Sequence, residues 1–265
     1  MRRLLRPIIV ALLLLCLAIP VRADGSATLL EQRLQAWPDW QLPAPLPRPD
    51  RHGDLLYPAW FAGEWQVTSL DLTAEGETGE PLRHPARFLI DAKQRVVADR
   101  AFNALAIGRA VLGSALLTVE QPADDRNRQL ARLQNDQLLE TTVIGRRQSD
   151  PQQEPFTTDE LVLQIVHGPG APRISRVETL SRYHPCPSTR QDSAEGGAAQ
   201  PSTVERICAD QWQARFSGPE QGLDAAPLAH AHYRLALTRL PDQPEIVGSP
   251  NDPARRTGAA TGGDH

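Results

Sequence analysis

The feature that most constrains the fold is a succession of short runs rich in β-forming residues, with turn residues between them. Helical patterns of about 10–15 residues do not separate these runs, which argues against βαβ units and favours an antiparallel barrel or sandwich. A barrel also hides the strand edges that a sandwich must protect. We therefore predict an all-β chain that forms an antiparallel β-barrel of about 8–10 strands. The runs predicted as strands are 64–73, 86–91, 95–101, 115–120, 128–133, 138–146, 160–166, 173–183, 204–216 and 230–240, whereas 103–112 fits a short helix as well as a strand.

The barrel is predicted to occupy residues 55–241, between segments of different character. Residues 24–54 begin with a short helix, predicted over 26–36 with Ser26 as its cap, and continue as a proline-rich arm. The frequent prolines favour an extended arm over a packed element. Residues 242–265 are rich in proline and glycine and poor in large apolar side chains, a composition typical of a disordered tail.

The first 23 residues have the three parts of a secretory signal peptide. Three arginines lie within the first six residues, an apolar run follows over 8–19, and Val21-Arg22-Ala23 is a small-residue cleavage site. The apolar run is shorter than the roughly 18–20 residues of a membrane-spanning helix, so we predict cleavage before Asp24 and no membrane span in the mature chain. The alternative is an uncleaved anchor. Both the general secretory route and the twin-arginine route remain open.

The charge balance bears on the class of partner. The whole chain has a formal net charge of −4, and removal of the signal peptide leaves 24 basic and 32 acidic residues, a net charge of −8. A negative field of this kind disfavours nucleic acid and anionic lipid surfaces as partners. The sequence also lacks the common nucleophile, metalloprotease, phosphate-binding and dithiol motifs. We therefore assign no catalytic residue, no metal ligand and no cofactor.

Two cysteines remain after cleavage of the signal peptide, Cys186 and Cys208. Disulfides persist in exported proteins, so we predict a bridge between them, with a stabilisation of about 3 kcal/mol in the chain-entropy model. The bridge would close a loop that contains the small and polar segment 193–201. The alternative is two unpaired thiols, because the sequence does not give the distance between the two Cα atoms.

The segment that opens the predicted domain contains Gly63-Glu64-Trp65 at the head of the first long strand. This Gly-x-Trp resembles the opening of lipocalin-like barrels. The resemblance implies that Trp65 plugs one end of the barrel and that an arginine of the last strand stacks on its ring. Arg234 and Arg239 are both candidates, and we assign Arg234 to this structural role together with Gly63 and Trp65. The alternative is an ordinary aromatic core cluster.

A wider resemblance extends over roughly residues 46–240. It is carried by segments 56–65, 97–103, 127–129, 142–147 and 233–235, in that order. These segments resemble a family of cyanobacterial proteins of unknown function with relatives among chloroplast thylakoid-lumen proteins. The resemblance implies a cyanobacterial source and an exported protein of the periplasm or thylakoid lumen. It implies no reaction.

Two polar groups of residues are candidate sites. Asp99, Arg100 and Asn103 follow a predicted strand, and a polar head group could bind them at the barrel mouth. The alternative, which we favour, is a structural Asp99–Arg100 ion pair with Asn103 as a helix cap. His230 and His232 alternate on one strand and share a face, but no third metal ligand is visible near them, so two solvated histidines explain the pair.

Two functions fit these observations. The first is a non-enzymatic binding protein whose barrel holds a small apolar molecule such as a pigment, a quinone or a lipid-derived compound. The second is an accessory factor for a photosynthetic membrane complex that docks through the apolar side chains of residues 26–50. For the second function, the alternative is that this arm folds back and plugs its own barrel.

Overall fold

The computed structural model describes residues 28–73, 79–187, 204–219 and 224–241. The predicted signal peptide, the segment 193–201 and the tail 242–265 lie outside the described residues, and the statements about them remain predictions. The helices are α1 (Leu29–Gln35) and α2 (Arg100–Leu112), and single turns of 3-10 helix occur at Ala59–Phe61 and Gly113–Ala115. The strands are β1 (Leu56–Tyr57), β2 (Gly63–Asp71), β3 (Leu82–Ile90), β4 (Val96–Ala98), β5 (Leu116–Glu120), β6 (Arg128–Leu133), β7 (Gln137–Gln148), β8 (Phe156–His167), β9 (Arg173–Pro185), β10 (Arg206–Ser217) and β11 (Ala229–Arg239).

All the strands pair antiparallel in one sheet with the order β1-β4-β3-β2-β11-β10-β9-β8-β7-β6-β5. The pairing of β2 with β11 joins the first long strand to the last and lets the sheet curl into a half-barrel. This architecture confirms the predicted all-β class and is consistent with a lipocalin-like β-barrel. The ten predicted strands are present, and the eleventh is the short β1, which lies inside the opening aromatic segment.

Helix α2 spans the open side of the half-barrel. Asp99 caps the helix through a hydrogen bond from the Phe102 backbone amide, and the chain from β4 enters the helix directly. The helix packs against β3 on one side and β5 on the other. Gly108 permits this close approach, because a Cβ atom at that position would collide with the side chain of Leu116. Segment 103–112 is therefore helical, which settles the ambiguity of the sequence pattern.

One end of the half-barrel is closed by the predicted tryptophan plug. Trp65 is fully buried and donates its indole hydrogen to the Phe61 carbonyl at 2.7 Å. The guanidinium of Arg239 lies over the Trp65 ring, with its Cζ atom 4.3 Å from the ring centroid. Gly63 has a φ of +116°, and a side chain there would meet Arg239 Nη1. The glycine is thus needed both for its backbone conformation and for the close approach of the arginine.

The assignment of Arg234 to the plug is wrong. Side chains alternate between the two faces of a strand, so residues 234 and 239 of β11 point to opposite faces. Arg239 shares the inner face with Leu235 and Leu237, which are buried, whereas the Arg234 side chain is 65% exposed and faces Asp210. The parity of the buried leucines therefore decides between the two candidates.

The apolar core lies on both faces of the sheet. The inner cluster fills the plugged end of the half-barrel around Phe61, Trp65 and Phe156. A second cluster contains Phe216, which lies an odd number of positions from the inner Ile207 and Ala209 on β10, and Leu180 of β9, which pairs with Trp212 on the same face as Phe216. The second cluster therefore lies on the outer, convex face.

The proline-rich arm covers this outer cluster. Trp40 is fully buried and Leu42 is 5% exposed, and both pack on the outer residues of β8, β9 and β10. The arm thus neither enters the end of the barrel nor stands free of it. The helix before the arm begins at Leu29, and its cap is Thr28, which forms a reciprocal capping box with Glu31, so the prediction of Ser26 as the cap is wrong.

The predicted disulfide between Cys186 and Cys208 is present, with the two Cα atoms 5.0 Å apart. It joins the end of β9 to the neighbouring strand β10, where the Cys186 amide also donates a hydrogen bond to the Arg206 carbonyl at 2.9 Å. The bridge therefore fixes the two strand ends that flank residues 188–203.

Candidate functional site

A cavity of about 650 Å³ lies between α2 and the concave face of the sheet. Its apolar wall includes Val67, Leu235 and Leu237 from the sheet, and α2 contributes Ile107 and Val111. Both α2 residues are also exposed to solvent, at 43% and 62%. The cavity is therefore bounded on one side by a helix that also borders on solvent.

Polar side chains gather in one part of the wall. Arg100 comes from the first turn of α2, Asn127 and Gln129 lie at the start of β6, and Glu160 projects from β8. The strand positions 158, 160 and 162 share one face, which explains how Glu160 reaches the inside beside the apolar Val162. This arrangement gives the cavity an apolar wall with a small number of convergent polar groups, a pattern typical of small-molecule sites.

Glu160 connects two arginines. Its Oε1 atom accepts a hydrogen bond from Arg146 Nε at 2.6 Å and another from Arg100 Nη2 at 3.2 Å. Arg100 Nε also lies 3.6 Å from Asp54 Oδ1, and Asp54 in turn pairs with Arg126 at 2.6 Å. Each charged group thus has a partner of opposite sign, which fixes the positions of Arg100 and Glu160 at the cavity wall.

Asn127 is the most constrained polar residue of the wall. It is 4% exposed, and its side-chain Nδ2 donates to the Asp50 carbonyl at 2.7 Å. Its main-chain carbonyl accepts a hydrogen bond from the Val143 amide at 2.9 Å. Its Oδ1 is buried and has no hydrogen-bond partner among the described residues. A buried acceptor without a partner is costly, so Asn127 carries an unsatisfied polar atom behind the cavity wall.

The predicted trio of Asp99, Arg100 and Asn103 divides into different roles. Asp99 pairs with Arg87 at 2.7 Å instead of with Arg100, so the expected Asp99–Arg100 ion pair is wrong. Asn103 does not cap α2; its side chain accepts from the Arg87 amide at 2.7 Å and donates to the Arg87 carbonyl at 3.1 Å, which attaches α2 to β3. Of the three, Arg100 and Asn103 line the cavity.

Burial disfavours the charged forms of three titratable side chains of the wall. Burial raises the pKa of Tyr57 far above its usual value, and it also raises the pKa of Tyr183. Burial lowers the pKa of His84, which outweighs the opposing hydrogen bond to the Pro85 carbonyl. The two phenols and the imidazole are therefore uncharged near pH 7, and the fixed charges of the wall are those of Arg100 and Glu160.

Sequence reasoning missed Asn127, Gln129 and Glu160. Asn127 and Gln129 belong to one of the segments that carried the wider family resemblance, and this was the available signal that they share a role. Glu160 stands at the start of a predicted strand, where strand alternation alone does not tell which face is inside. The curl of the sheet decides which face of the strand lies inside, and the sequence does not give that curl.

His230 and His232 lie at the outer apolar cluster. The Trp37 ring packs edge-on against both imidazoles, at 5.6 and 5.9 Å between centroids, and the Trp212 ring stacks on His232 at 5.1 Å. His232 Nε2 is also 3.2 Å from Asp210 Oδ1. Within the described residues, no group of three or more histidine, cysteine, aspartate or glutamate side chains is arranged to hold a metal ion.

A second polar cluster is buried beneath the N-terminal segment. Arg33 of α1 donates two hydrogen bonds of 2.6 Å to the carboxylate of Glu178, which is fully buried. Asp159 is also fully buried, and neither of its carboxylate oxygens has a hydrogen-bond partner in the part of the chain that the structure describes. Burial, reinforced by the negative charge of Glu178, raises the pKa of Asp159 to about 8. This carboxyl group is therefore mainly protonated at pH 7.

Comparisons with known proteins give one finding of similarity. Neither the curated proteins nor the solved structures give a match to the chain. Among the described residues, neither helix has the length and apolar character required to cross a membrane. A model for a domain of unknown function (DUF6816) matches residues 70–241, which is more than half of the chain and runs from the end of β2 through β11. The chain belongs to this domain family of unknown function.

Proposed function

We propose that this protein is a non-enzymatic binding protein that holds a small, largely apolar molecule between α2 and the sheet. The observation that carries the proposal is the cavity of about 650 Å³, which lies within the range of about 300–1,000 Å³ typical of small-molecule sites. Small barrels are often filled by their own side chains, but here the aromatic plug fills only one end. A pigment, a quinone or a lipid-derived compound would suit a wall of this composition.

Export is part of the proposal. The signal-peptide pattern of residues 1–23 supports it, and so does the Cys186–Cys208 disulfide, because such bonds persist in oxidising compartments. We propose the cyanobacterial periplasm or the thylakoid lumen as the compartment, which is what the wider sequence resemblance implies.

The test uses a variant that reduces the cavity volume. Ala104 lines the cavity from α2, whereas Ala110 is an exposed residue of the same helix. Ala104→Phe should lower the affinity for a neutral fluorophore such as N-phenyl-1-naphthylamine by at least about tenfold, while the matched Ala110→Phe should bind like the unmodified chain. Circular dichroism serves as the folding control. Equal binding by both variants, or no binding by the unmodified protein, would reject the cavity as the site.

The natural ligand is sought separately. Native mass spectrometry of the mature protein, followed by solvent extraction and absorption spectroscopy, should recover a bound compound from protein purified from its source. The same preparation of Ala104→Phe should lack that compound. Recovery of an equal amount from both preparations would place the compound elsewhere on the protein.

The main argument for the alternative function, an accessory interaction factor, is weakened. It relied on exposed apolar side chains in residues 26–50, but Trp40 and Leu42 are buried against the sheet of the same chain. Leu29, at 48% exposure, is the large apolar residue of this segment that faces solvent. We therefore place the binding function in the cavity.

A further inference from the structure

We propose that Glu160 determines the selectivity of the cavity: its oxygen Oε2 accepts a hydrogen bond from a hydroxyl group of the ligand, and its negative charge disfavours ligands that end in a carboxylate. The inference rests on the proposed function, because it concerns the same cavity, and it adds the chemical class of the ligand, an apolar alcohol. Among the described residues that line the cavity, Glu160 is the one acidic side chain.

The side chain of Glu160 opens to the cavity. Glu160 pairs with Arg146 of β7 on one side and with Thr179 of β9 on the other, so neighbouring strands cover both of its flanks. The next residue, Leu161, belongs to the outer cluster, which directs residue 160 to the concave face. The Glu160 side chain is nevertheless 25% exposed. This exposed surface therefore lies on the concave side of the sheet, where Glu160 lines the cavity.

The two carboxylate oxygens of Glu160 have different surroundings. Oε1 accepts both of the arginine hydrogen bonds, from Arg146 Nε at 2.6 Å and from Arg100 Nη2 at 3.2 Å. Oε2 accepts no hydrogen bond within the part of the chain that the structure describes, and the protein does not enclose it, in contrast to both carboxylate oxygens of Asp159. A ligand donor that reaches Oε2 would therefore complete a hydrogen bond without breaking one that exists.

The apolar part of the wall lies on other strands. Val67 is on β2, and Leu235 and Leu237 are on β11, which β10 and β9 separate from β8 in the sheet order. The cavity thus has an apolar region and a polar region on different strands of the curved sheet. A ligand of matching polarity would place its apolar body against β2 and β11 and direct its polar end to Glu160.

The charges around Oε2 select among possible ligand groups. Three arginines and two carboxylates form one ion-pair network, which consists of Arg100, Arg126, Arg146, Asp54 and Glu160. Three positive and two negative charges leave this network a net charge of +1, which disfavours an ammonium group. A carboxylate has no proton to donate to Oε2 and would place a second negative charge beside it. A hydroxyl group is neutral and donates one hydrogen bond, so it meets both conditions.

The experiment first compares matched ligands on the unmodified chain. The probes are a pyrenyl alkanol, its methyl ether and the corresponding carboxylate, each followed by the change in its fluorescence on binding. The ether has nearly the same shape as the alcohol but no donor. A hydrogen bond to a charged group is worth roughly tenfold or more in affinity, so the alcohol should bind at least about tenfold more tightly than the ether. The carboxylate should also bind more weakly than the alcohol.

A pair of variants locates the effect. In Glu160→Gln the arginine donors hold the amide oxygen at the position of Oε1, so the NH₂ group takes the place of Oε2 and a donor replaces the acceptor. The alcohol-to-ether affinity ratio should fall close to one, and the carboxylate should bind more tightly than it does to the unmodified chain.

Glu140→Gln is the matched control. Glu140 lies on the neighbouring strand β7 and pairs with Arg128 at 2.7 Å, but its neighbour Thr141 lines the cavity, so residue 140 points to the opposite face. This variant removes an arginine-paired carboxylate outside the cavity and should keep the preference for the alcohol. Circular dichroism checks the folding of both variants, and the comparison of probes on the unmodified chain stands even if Glu160→Gln folds poorly.

Each outcome has a distinct meaning. Equal affinity for alcohol and ether in the unmodified chain would overturn the hydroxyl inference and leave cavity binding intact. Tighter binding of the carboxylate than of the alcohol would also overturn it, because the arginines would then decide the selectivity. A preference for the alcohol that survives in folded Glu160→Gln, or that is lost equally in Glu140→Gln, would overturn the role of Glu160. Failure of all three probes to bind would overturn the proposed function and this inference together.

Discussion

Replacement of Arg239 by alanine tests whether one guanidinium closes the plugged end of the half-barrel. Arg239 donates hydrogen bonds to three backbone carbonyls, those of Val204 at 2.9 Å, Ala62 at 2.8 Å and Trp60 at 3.2 Å. Its guanidinium also lies over the ring of the buried Trp65. The residue thus ties β11 to the segment before β2 and to the segment before β10.

The size of the effect follows from these contacts. Hydrogen bonds to charged groups contribute about 1.5–3 kcal/mol each, and a cation–π contact contributes about 0.5–2 kcal/mol. The contacts share one side chain and are not additive, and water can reach part of the vacated space, so we expect Arg239→Ala to lower the free energy of unfolding by about 3–5 kcal/mol. The lysine variant keeps the charge but not the planar fork, and should lose an intermediate amount.

Arg234 provides the matched control, since it is an arginine of the same strand. Its side chain is 65% exposed, with Nε 3.8 Å from Asp210 Oδ1, and surface pairs of this kind contribute at most about 1 kcal/mol. Urea denaturation followed by tryptophan fluorescence and by circular dichroism measures all three variants. A loss below about 1 kcal/mol for Arg239→Ala, or an equal loss for Arg234→Ala, would refute the reasoning.

Three further predictions concern the arm, the buried carboxyl group and the disulfide. Trp40→Ala should lower the free energy of unfolding by about 3–5 kcal/mol, because the Trp40 side chain is fully buried. The control Leu29→Ala, at a position 48% exposed, should change it by less than about 1 kcal/mol. Chemical denaturation of both variants measures the two changes. The raised pKa of Asp159 means that the folded chain keeps a proton that the unfolded chain loses near pH 4. The contribution of Asp159 to stability is therefore complete below pH 4 and is lost as the pH rises to about 8. Asp159→Asn should therefore flatten the fall in stability between pH 5 and 8 in denaturation curves, and an unchanged slope would contradict the assignment. Cys186→Ser should lower stability by about 1–3 kcal/mol without unfolding the barrel, and thiol labelling of the denatured, non-reduced protein should find no free thiol in the mature unmodified chain.

The sequence by itself determined the elements of the fold. The runs of β-forming residues between turn residues predicted ten of the eleven strands found in the described residues, because β propensity and turn signals are local properties of the sequence. The short β1 was missed, because two residues are too few to form a recognisable run of β-forming residues. Gly63 and Trp65 were also identified correctly as structural residues, because the turn and the plug are encoded within three consecutive positions.

Only the tertiary structure decided which faces became interior and what they enclose. The choice between Arg234 and Arg239 required the parity of β11 relative to the curl of the sheet. Asn127 and Glu160 are more than 30 positions apart, and they line the same cavity because β6, β7 and β8 are neighbours in the sheet. The burial of the arm had the same origin: residues 37–46 are polar or proline at many positions, and they pack because the outer face of β8 to β10 presents an apolar surface to them. Long-range pairing of strands brings such groups together, and no local pattern in the sequence encodes that pairing.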